Sequence, residues 1–168
     1  IHFLFIGGGH LLQDVKARAA APGQANVALR PYQPRARLAE SLSVGDAHWL
    51  SLREEFEGLI VPSKFFGIAA AGRPVIAVTH PRGEIARIVA AHGCGVVVAP
   101  GDGAGLARQI EGLADDRAAC LAMGQRARTM IEAHFGQARA LARFLALFAS
   151  LSDGAEGSRP RPRARQRL

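Results

Sequence analysis

Residues 75–99 read VIAVTHPRGEIARIVAAHGCGVVVA, and this stretch decides the fold. Residues 75–78 form a short apolar run without polar alternation, which is typical of a strand that is buried on both faces. Residues 84–91 place their large apolar side chains on one side of a helix, and residues 95–99 form a second apolar strand. A strand, a helix and a strand of this kind predict two parallel strands joined by a covering helix.

The same alternation continues on both sides of this stretch. It predicts a doubly wound α/β domain with a parallel sheet covered by helices. The further strands are expected at residues 2–6, 26–29 and 47–52, and the first of them is expected to be buried. The further helices are expected at residues 11–21, 36–42, 62–71 with Pro62 in the first turn, 103–113, 117–134 and 136–150.

Composition fits one globular domain followed by a basic tail. The chain has 168 residues, of which 49% are hydrophobic, and it contains no apolar run long enough to span a membrane. The formal net charge is +7, and residues 152–168 carry five arginines against two acids. We therefore expect a domain at 1–150 and a disordered basic tail at 151–168, either simply solvated or touching anionic lipid or nucleic acid.

The cysteines and histidines indicate neither disulfides nor a metal site. Cys94 and Cys120 lie in apolar surroundings at a spacing that no metal site uses, so we expect buried free thiols, as in a reducing cytosol. The six histidines form no ligand cluster in the sequence. No metal is predicted.

Ligands of open parallel sheets bind beyond the carboxyl ends of the strands, and that rule selects the loops at 7–9, 30–33, 53–64 and 79–84. Gly7, Gly8 and Gly9 let a ligand approach the backbone closely, although a plain tight turn explains them equally well. They are not a dinucleotide fingerprint, because Leu12 occupies the position of its third glycine.

The loop at 53–64 carries the strongest candidates for an anion site. Ser63 and Lys64 lie at the start of a predicted helix, whose free amides and dipole attract phosphate. Lys64 is unfavourable to the helix itself there, which makes sense if an anion lies between it and the helix end. The alternative is a surface lysine beside a capping serine. Glu57, followed by the flexible Gly58, could bind sugar hydroxyls.

Two further residues have both a functional and a structural interpretation. Glu84 begins a helix, where the dipole stabilises an acid, and it is also placed to bind ribose hydroxyls. Tyr32 lies in the rigid segment PYQP at 31–34, suited to reading the edge of a base, or it packs on the side of the domain.

Several motifs in order resemble family-4 glycosyltransferases, specifically the subgroup that builds bacterial capsule, colanic acid and O-antigen sugars. The segments FEGLIVPSK at 56–64 and GIAAAGRPVIA at 67–77 are the most specific. The resemblance covers residues 1 to about 150. Its other segments are FLFIGGG at 3–9, GEIA at 83–86, GCGVVV at 93–98 and PGD at 100–102.

The resemblance implies the GT-B architecture, in which two Rossmann-like domains flank a cleft and the C-terminal one binds a nucleoside-diphosphate sugar without a required metal or cofactor. It implies retaining transfer of a hexose to a cell-surface polysaccharide precursor. Glu57 becomes the candidate catalytic residue, and Gly58 and Leu59 would face the donor with it. Ser63 and Lys64 would lie near the phosphates and Glu84 near the ribose, while Gly7, Gly8, Gly9 and Tyr32 complete the candidate donor site.

The resemblance also implies what this chain lacks. Many family members carry a second glutamate eight positions after the first, and no glutamate stands there in this sequence. The N-terminal acceptor domain is the expected missing partner, so this chain alone should bind poorly and transfer nothing. Its last helix would cross back to that domain, which leaves the apolar stripe Leu141, Phe144, Leu145 and Phe148 exposed.

The expected location is the cytoplasm, with contact of the complete enzyme at the inner membrane surface and no nucleic acid as partner. Two other functions remain open at this stage. A GT-B sugar-nucleotide epimerase would need its own catalytic acids and histidines, which this sequence does not place. A non-catalytic nucleotide-binding module would look the same in this stretch but would not need a second domain.

Overall fold

The structure, a computed structural model, describes the backbone of residues 1–156 and the side-chain surroundings of residues 1–151. The part of the predicted tail at 157–168 lies outside the described residues. The chain divides into two compact units, Ile1–Glu132 and Ala133–Leu168.

Strands and helices alternate through the first unit, as the sequence predicts. The strands are β1 (Phe3–Ile6), β2 (Val27–Arg30), β3 (His48–Ser51), β4 (Val75–Val78) and β5 (Gly95–Val98). The helices of this unit are α1 (Leu12–Ala19), α2 (Leu38–Ser43), α3 (Lys64–Ala70), α4 (Glu84–His92), α5 (Gly103–Asp115) and α6 (Arg117–Met130).

All strand pairings in the described part of the chain are parallel, which confirms the predicted α/β class. Strand β4 lies between β3 and β5, with Val75 opposite both His48 and Gly95. Strands β1 and β2 pair separately, so the five strands form sheets of three and of two strands.

The core of the first unit surrounds the three-stranded sheet. Val75 and Ala77 of β4 are buried with Phe65 of α3 and with Ile85 and Val89 of α4. Each large side chain buried in this way contributes about 1.5–3 kcal/mol. Strand β4 therefore lies in the hydrophobic core of the first unit.

The first strand differs from expectation. The sequence predicts a buried strand at 2–6, whereas Leu4, Phe5 and Ile6 are 38–44% exposed. Their strand pairs with β2, and α1 beside that pair has no buried residue. The prediction of burial is wrong because an apolar run indicates a strand but not what covers it.

Several element ends also differ from the predicted ones. Helix α3 begins at Lys64 rather than at Pro62. The carbonyl oxygens of Pro62 and Ser63 accept hydrogen bonds from the N–H groups three residues later, so these two residues form a turn that precedes the helix. Helix α6 ends at Met130 and continues as a wider π-helical turn at Ile131–Phe135. Helix α7 extends to Glu156, past the boundary expected at residue 150.

The second unit consists, in its described part, mainly of α7 (Gln137–Glu156). Its apolar stripe is exposed as predicted, and Leu141, Phe144, Leu145 and Phe148 are 59–61% accessible. Among the described helices, none combines the length and the apolar character needed to cross a bilayer.

Both cysteines are buried free thiols, as predicted. Burial raises the pKa of the Cys94 thiol and also that of the Cys120 thiol. The described residues contain no group of three or more histidine, cysteine or acidic side chains arranged to hold a metal ion.

Candidate functional site

The carboxylate of Glu57 is held at the carboxyl end of β4. Its Oε1 atom accepts a short hydrogen bond from the Thr79 hydroxyl and another, at 3.3 Å, from the backbone N–H of His80. Thr79 follows β4 directly and is completely buried, and its own N–H bonds to Val98 of the neighbouring strand at 3.1 Å. Two donors fixed by the sheet therefore orient this side chain.

Gly83 leaves the space that the Glu57 carboxylate occupies. Gly83 is buried, and a Cβ atom there would overlap both carboxylate oxygens and lie 2.7 Å from Cδ of Glu57. The N–H of Gly83 bonds to the carbonyl of His80 at 2.8 Å, which closes a turn just before α4. Helix α4 has no side-chain cap, so an acid beside its first turn interacts favourably with the helix dipole.

The two oxygens of Glu57 differ in their surroundings. Oε1 accepts both of the hydrogen bonds described above, whereas Oε2 accepts none from the residues that the structure describes. Glu57 is partly exposed. One oxygen is thus anchored to the protein and the other remains able to accept a hydrogen bond from a ligand hydroxyl.

The segment after Glu57 turns sharply and opens to solvent. Gly58 has a φ of +78°, a conformation that favours glycine, and Leu59 is exposed. Ser63 stands at the N-cap of α3 without a side-chain hydrogen bond to the helix, and Lys64 follows as the first helical residue. Both are exposed, and Lys64 forms no salt bridge within the described part of the chain.

His80 belongs to the same turn. Its Nδ1 accepts a hydrogen bond from the N–H of Arg82 at 3.1 Å, and its Nε2 lies 3.8 Å from Oε1 of Glu54. Because Nδ1 accepts, the neutral ring carries its proton on Nε2, toward Glu54. The imidazole thus contacts Arg82 and Glu54, while the backbone N–H of His80 supports the Glu57 carboxylate.

Glu84 forms a local ion pair. Its side chain contacts the guanidinium of Arg87 one helical turn later, and both side chains are at least half exposed. This position at the first residue of α4 agrees with the dipole interpretation of Glu84. The ribose contact that the resemblance implies stays a prediction.

The glycine turn and Tyr32 lie together at the carboxyl ends of β1 and β2. The Tyr32 hydroxyl donates to the carbonyl of Gly8 at 2.8 Å, and a Cβ at Gly7 would lie 3.0 Å from the tyrosine ring. Gly9 is open, and the turn lines a shallow cavity of about 270 Å³. Tyr32 is 76% exposed although its ring lies against Gly7 and Gly8, so both the base-reading and the side-packing interpretation of Tyr32 stay predictions.

The contacts described above thus define two clusters among the candidate residues. One contains Glu57 at the end of β4, and the other contains the glycine turn with Tyr32. Thr79, His80 and Gly83 lie in the loop at 79–84 that the sequence selects, but no local pattern in the sequence assigns them a role at the carboxylate of Glu57.

A model of the glycosyl transferases group 1 family matches residues 1–116, well over half of the chain. The chain belongs to the group 1 glycosyl transferases. It is 36% identical over 109 residues to a probable glycosyltransferase of Pseudomonas aeruginosa, WbjE, and the match covers 65% of this chain and 27% of WbjE.

A solved structure also shares the fold. The crystal structure of WaaG, a glycosyltransferase involved in lipopolysaccharide biosynthesis, matches 80% of this chain with a TM-score of 0.62 at 16% sequence identity. This likeness confirms the Rossmann-like GT-B fold. The chain spans about a third or less of the length of these two relatives.

Proposed function

We propose that this chain is the donor-binding half of a family-4 glycosyltransferase of the capsule, colanic acid and O-antigen subgroup. In this proposal it binds a nucleoside-diphosphate sugar, and the complete enzyme moves the sugar to a cell-surface polysaccharide precursor. The membership of residues 1–116 in the group 1 family supports the proposal, as does the similarity to WbjE.

The single observation that carries the proposal is the orientation of Glu57. One carboxylate oxygen is anchored at the end of a buried parallel strand while the other accepts no hydrogen bond from a described residue. Ligands of open α/β sheets bind at that end of the strands. A preoriented acceptor there suits the hydroxyl groups of a sugar, because its hydrogen bonds need little reorganisation when the ligand arrives.

Ser63 and Lys64 are assigned to the diphosphate. The Ser63 hydroxyl is not used as a cap, and Lys64 is exposed without a salt bridge to a described residue. An ammonium group in this position neutralises charge that accumulates on the departing nucleoside diphosphate as the glycosidic bond breaks. No step of this kind requires a metal ion.

The second cluster is assigned to the nucleoside. Gly7, Gly8 and Gly9 form one wall of the cavity beside β1, and the exposed ring of Tyr32 covers the first two of them. An exposed aromatic ring on a backbone turn is suited to contact a base. Glu84 is assigned to the ribose.

In this proposal the acceptor-binding domain lies outside this chain, which spans about a third or less of the length of its relatives. Transfer, the sugar that is moved and contact with the inner membrane are accordingly properties of the complete enzyme in this proposal. The 168-residue chain alone is expected to bind the donor weakly and to transfer nothing.

Titration calorimetry of the chain tests the proposal. The probes are UDP and GDP, each alone and as a sugar conjugate (UDP-glucose, UDP-N-acetylglucosamine and GDP-mannose), with and without EDTA. We expect one nucleoside diphosphate to bind, and EDTA to leave its affinity unchanged.

Variants of the two lysines of the chain sharpen that test. Lys64→Ala should weaken nucleoside-diphosphate binding about tenfold to a hundredfold, since a charge-assisted contact contributes roughly 1.5–3 kcal/mol. Lys16→Ala, on α1, removes the same charge elsewhere and should leave binding unchanged. Equal effects of the two substitutions would contradict the phosphate assignment, and absence of any binding would contradict the donor-site proposal itself.

A further inference from the structure

We propose that Thr79 is the positioning residue of the donor site: its buried hydroxyl orients the Glu57 carboxylate and thereby sets how much affinity the sugar adds to that of the nucleotide. This inference rests on the proposed donor-binding function. Thr79 itself is completely buried and therefore acts through Glu57 rather than by touching the donor.

The hydroxyl of Thr79 is committed to one task. It donates to Oε1 of Glu57. Among the residues that the structure describes, Thr79 is the one polar residue that is buried. A buried hydroxyl is costly unless it is hydrogen-bonded, so this side chain is better explained by its partner than by packing, which valine would satisfy equally well.

Glu57 needs such an anchor because its own segment supplies little constraint. It follows a short 3₁₀ turn at Glu54–Phe56 and precedes Gly58, and the residues on both sides are exposed. A free glutamate side chain in that setting would sample several rotamers. Thr79, by contrast, is held by the hydrogen bond from its N–H to the carbonyl of Val98 in the neighbouring strand. The hydrogen bond from its hydroxyl to Glu57 therefore restricts the carboxylate to one position.

The space at Gly83 limits the carboxylate from the other side. Because the missing Cβ of Gly83 is where the carboxylate lies, the group is enclosed between the Thr79 hydroxyl and the start of α4. Oε1 is thereby turned toward the protein. Oε2 is left as the acceptor for a sugar hydroxyl.

The measurable consequence is a change in discrimination rather than in nucleotide binding. For each variant, the ratio of the dissociation constant of the free nucleoside diphosphate to that of its best-bound sugar conjugate reports the contribution of the sugar. Thr79→Val, which keeps the shape and removes the hydroxyl, should lower this ratio roughly tenfold to a hundredfold, as expected for one hydrogen bond to a charged group. Glu57→Gln should lower it as well, and affinity for the free nucleotide should stay constant in both.

Two further variants separate positioning from general damage to the fold. Thr79→Ser retains the hydroxyl and should preserve the ratio, and Thr129→Val makes the same change on the exposed side of α6 and should alter nothing. A Thr79→Val protein that kept the full ratio while Glu57→Gln lost it would overturn the positioning role and leave the donor-site proposal intact. If Thr79→Ser lowers the ratio as much as Thr79→Val does, the positioning role is also overturned.

A measurement without ligand keeps the inference independent of nucleotide binding. Thr79→Val should lower the urea midpoint of unfolding in the wild-type background but not in Glu57→Ala, where the hydroxyl has already lost its acceptor. If Thr79→Val lowers the urea midpoint equally in both backgrounds, the inference is overturned whatever the ligand result. If Thr79→Val does not fold, Thr79→Ala is compared with Thr79→Ser instead. A wild-type chain that binds no nucleoside diphosphate would overturn the donor-site proposal and the substrate part of this inference together.

Discussion

Replacing Gly83 by alanine should displace the Glu57 carboxylate and destabilise the fold. The added Cβ would overlap both carboxylate oxygens, while the backbone itself tolerates alanine, since Gly83 has a φ of −68°. The effect is therefore steric. It is not an effect of backbone conformation.

The size of the effect follows from two opposing contributions. Forcing extra atoms into a packed site costs about 1–3 kcal/mol, and moving the carboxylate instead leaves the buried Thr79 hydroxyl unpaired at a similar cost. Replacing glycine by alanine returns about 0.4–1 kcal/mol, because the unfolded chain loses freedom. The free energy of unfolding should thus fall by about 1–2 kcal/mol, or roughly 2–8 °C in Tm.

Urea unfolding followed by the fluorescence of Trp49 measures this change. The matched control is Gly103→Ala at the first residue of α5, where a Cβ meets no described heavy atom within 4 Å and the substitution should be neutral or slightly stabilising. In a Glu57→Ala background the overlap disappears, so Gly83→Ala should become as harmless as the control. A Gly83→Ala protein as stable as Gly103→Ala in the wild-type background would refute the placement of the carboxylate.

Two other groups give predictions that depend on pH or on chemical access. Burial lowers the pKa of His48 below 6.5, outweighing its 2.7 Å hydrogen bond to the Leu42 carbonyl, and the charge of Arg73 lowers it further. As the pH falls, the unfolded chain therefore binds the proton before the folded chain does. The contribution of His48 to stability is complete above pH 6.5 and is lost as the pH falls from 6.5 toward the folded pKa. His48→Gln, which can still donate to the Leu42 carbonyl, should reduce this loss in unfolding curves measured between about pH 7.5 and pH 5. Burial raises the pKa of Cys94 and of Cys120 above 9.0, so a thiol reagent at about pH 8 should modify both only after unfolding, and fast labelling of the native chain would contradict their burial.

The sequence predicts best those elements that the core surrounds. Residues 75–78 form a strand that is buried on both faces, with Val75 and Ala77 in one hydrophobic cluster and Ile76 in another, as its uninterrupted apolar run predicts. Residues 84–92 form a helix whose end is also predictable, since Gly93 adopts the left-handed conformation that ends helices. Local pattern and tertiary packing agree in these elements.

The first strand shows the limit of that reasoning. Its pattern is as apolar as that of β4, and it forms a strand in the place expected. Its burial, however, depends on residues far away in sequence, and the strand pairs with β2 without a buried layer on α1. Periodicity specifies which face of an element needs cover but not what provides it.

The candidate site divides in the same way. Glu57 could be selected because a carboxylate in a loop at a strand end has few structural reasons to be there. Thr79 and Gly83 could not, because their importance lies in the distance between residues 57, 79 and 83, and no local pattern relates positions so far apart. The sequence therefore identifies the groups that would meet a ligand more readily than those that hold them.

The two clusters of candidate residues differ in how firmly the fold constrains them, and this difference bears on specificity. Glu57 is bonded to Thr79, a buried residue directly after the central strand of the three-stranded sheet, so its orientation is protected by the same burial that stabilises the core. Tyr32 and the glycine turn stand on a pair of strands, and two strands alone are only marginally stable. An acceptor that is already oriented discriminates between hydroxyl arrangements, because a wrongly placed hydroxyl leaves its hydrogen bond unmade. In the proposed donor site, this difference predicts that selection of the sugar depends on the rigid end of β4.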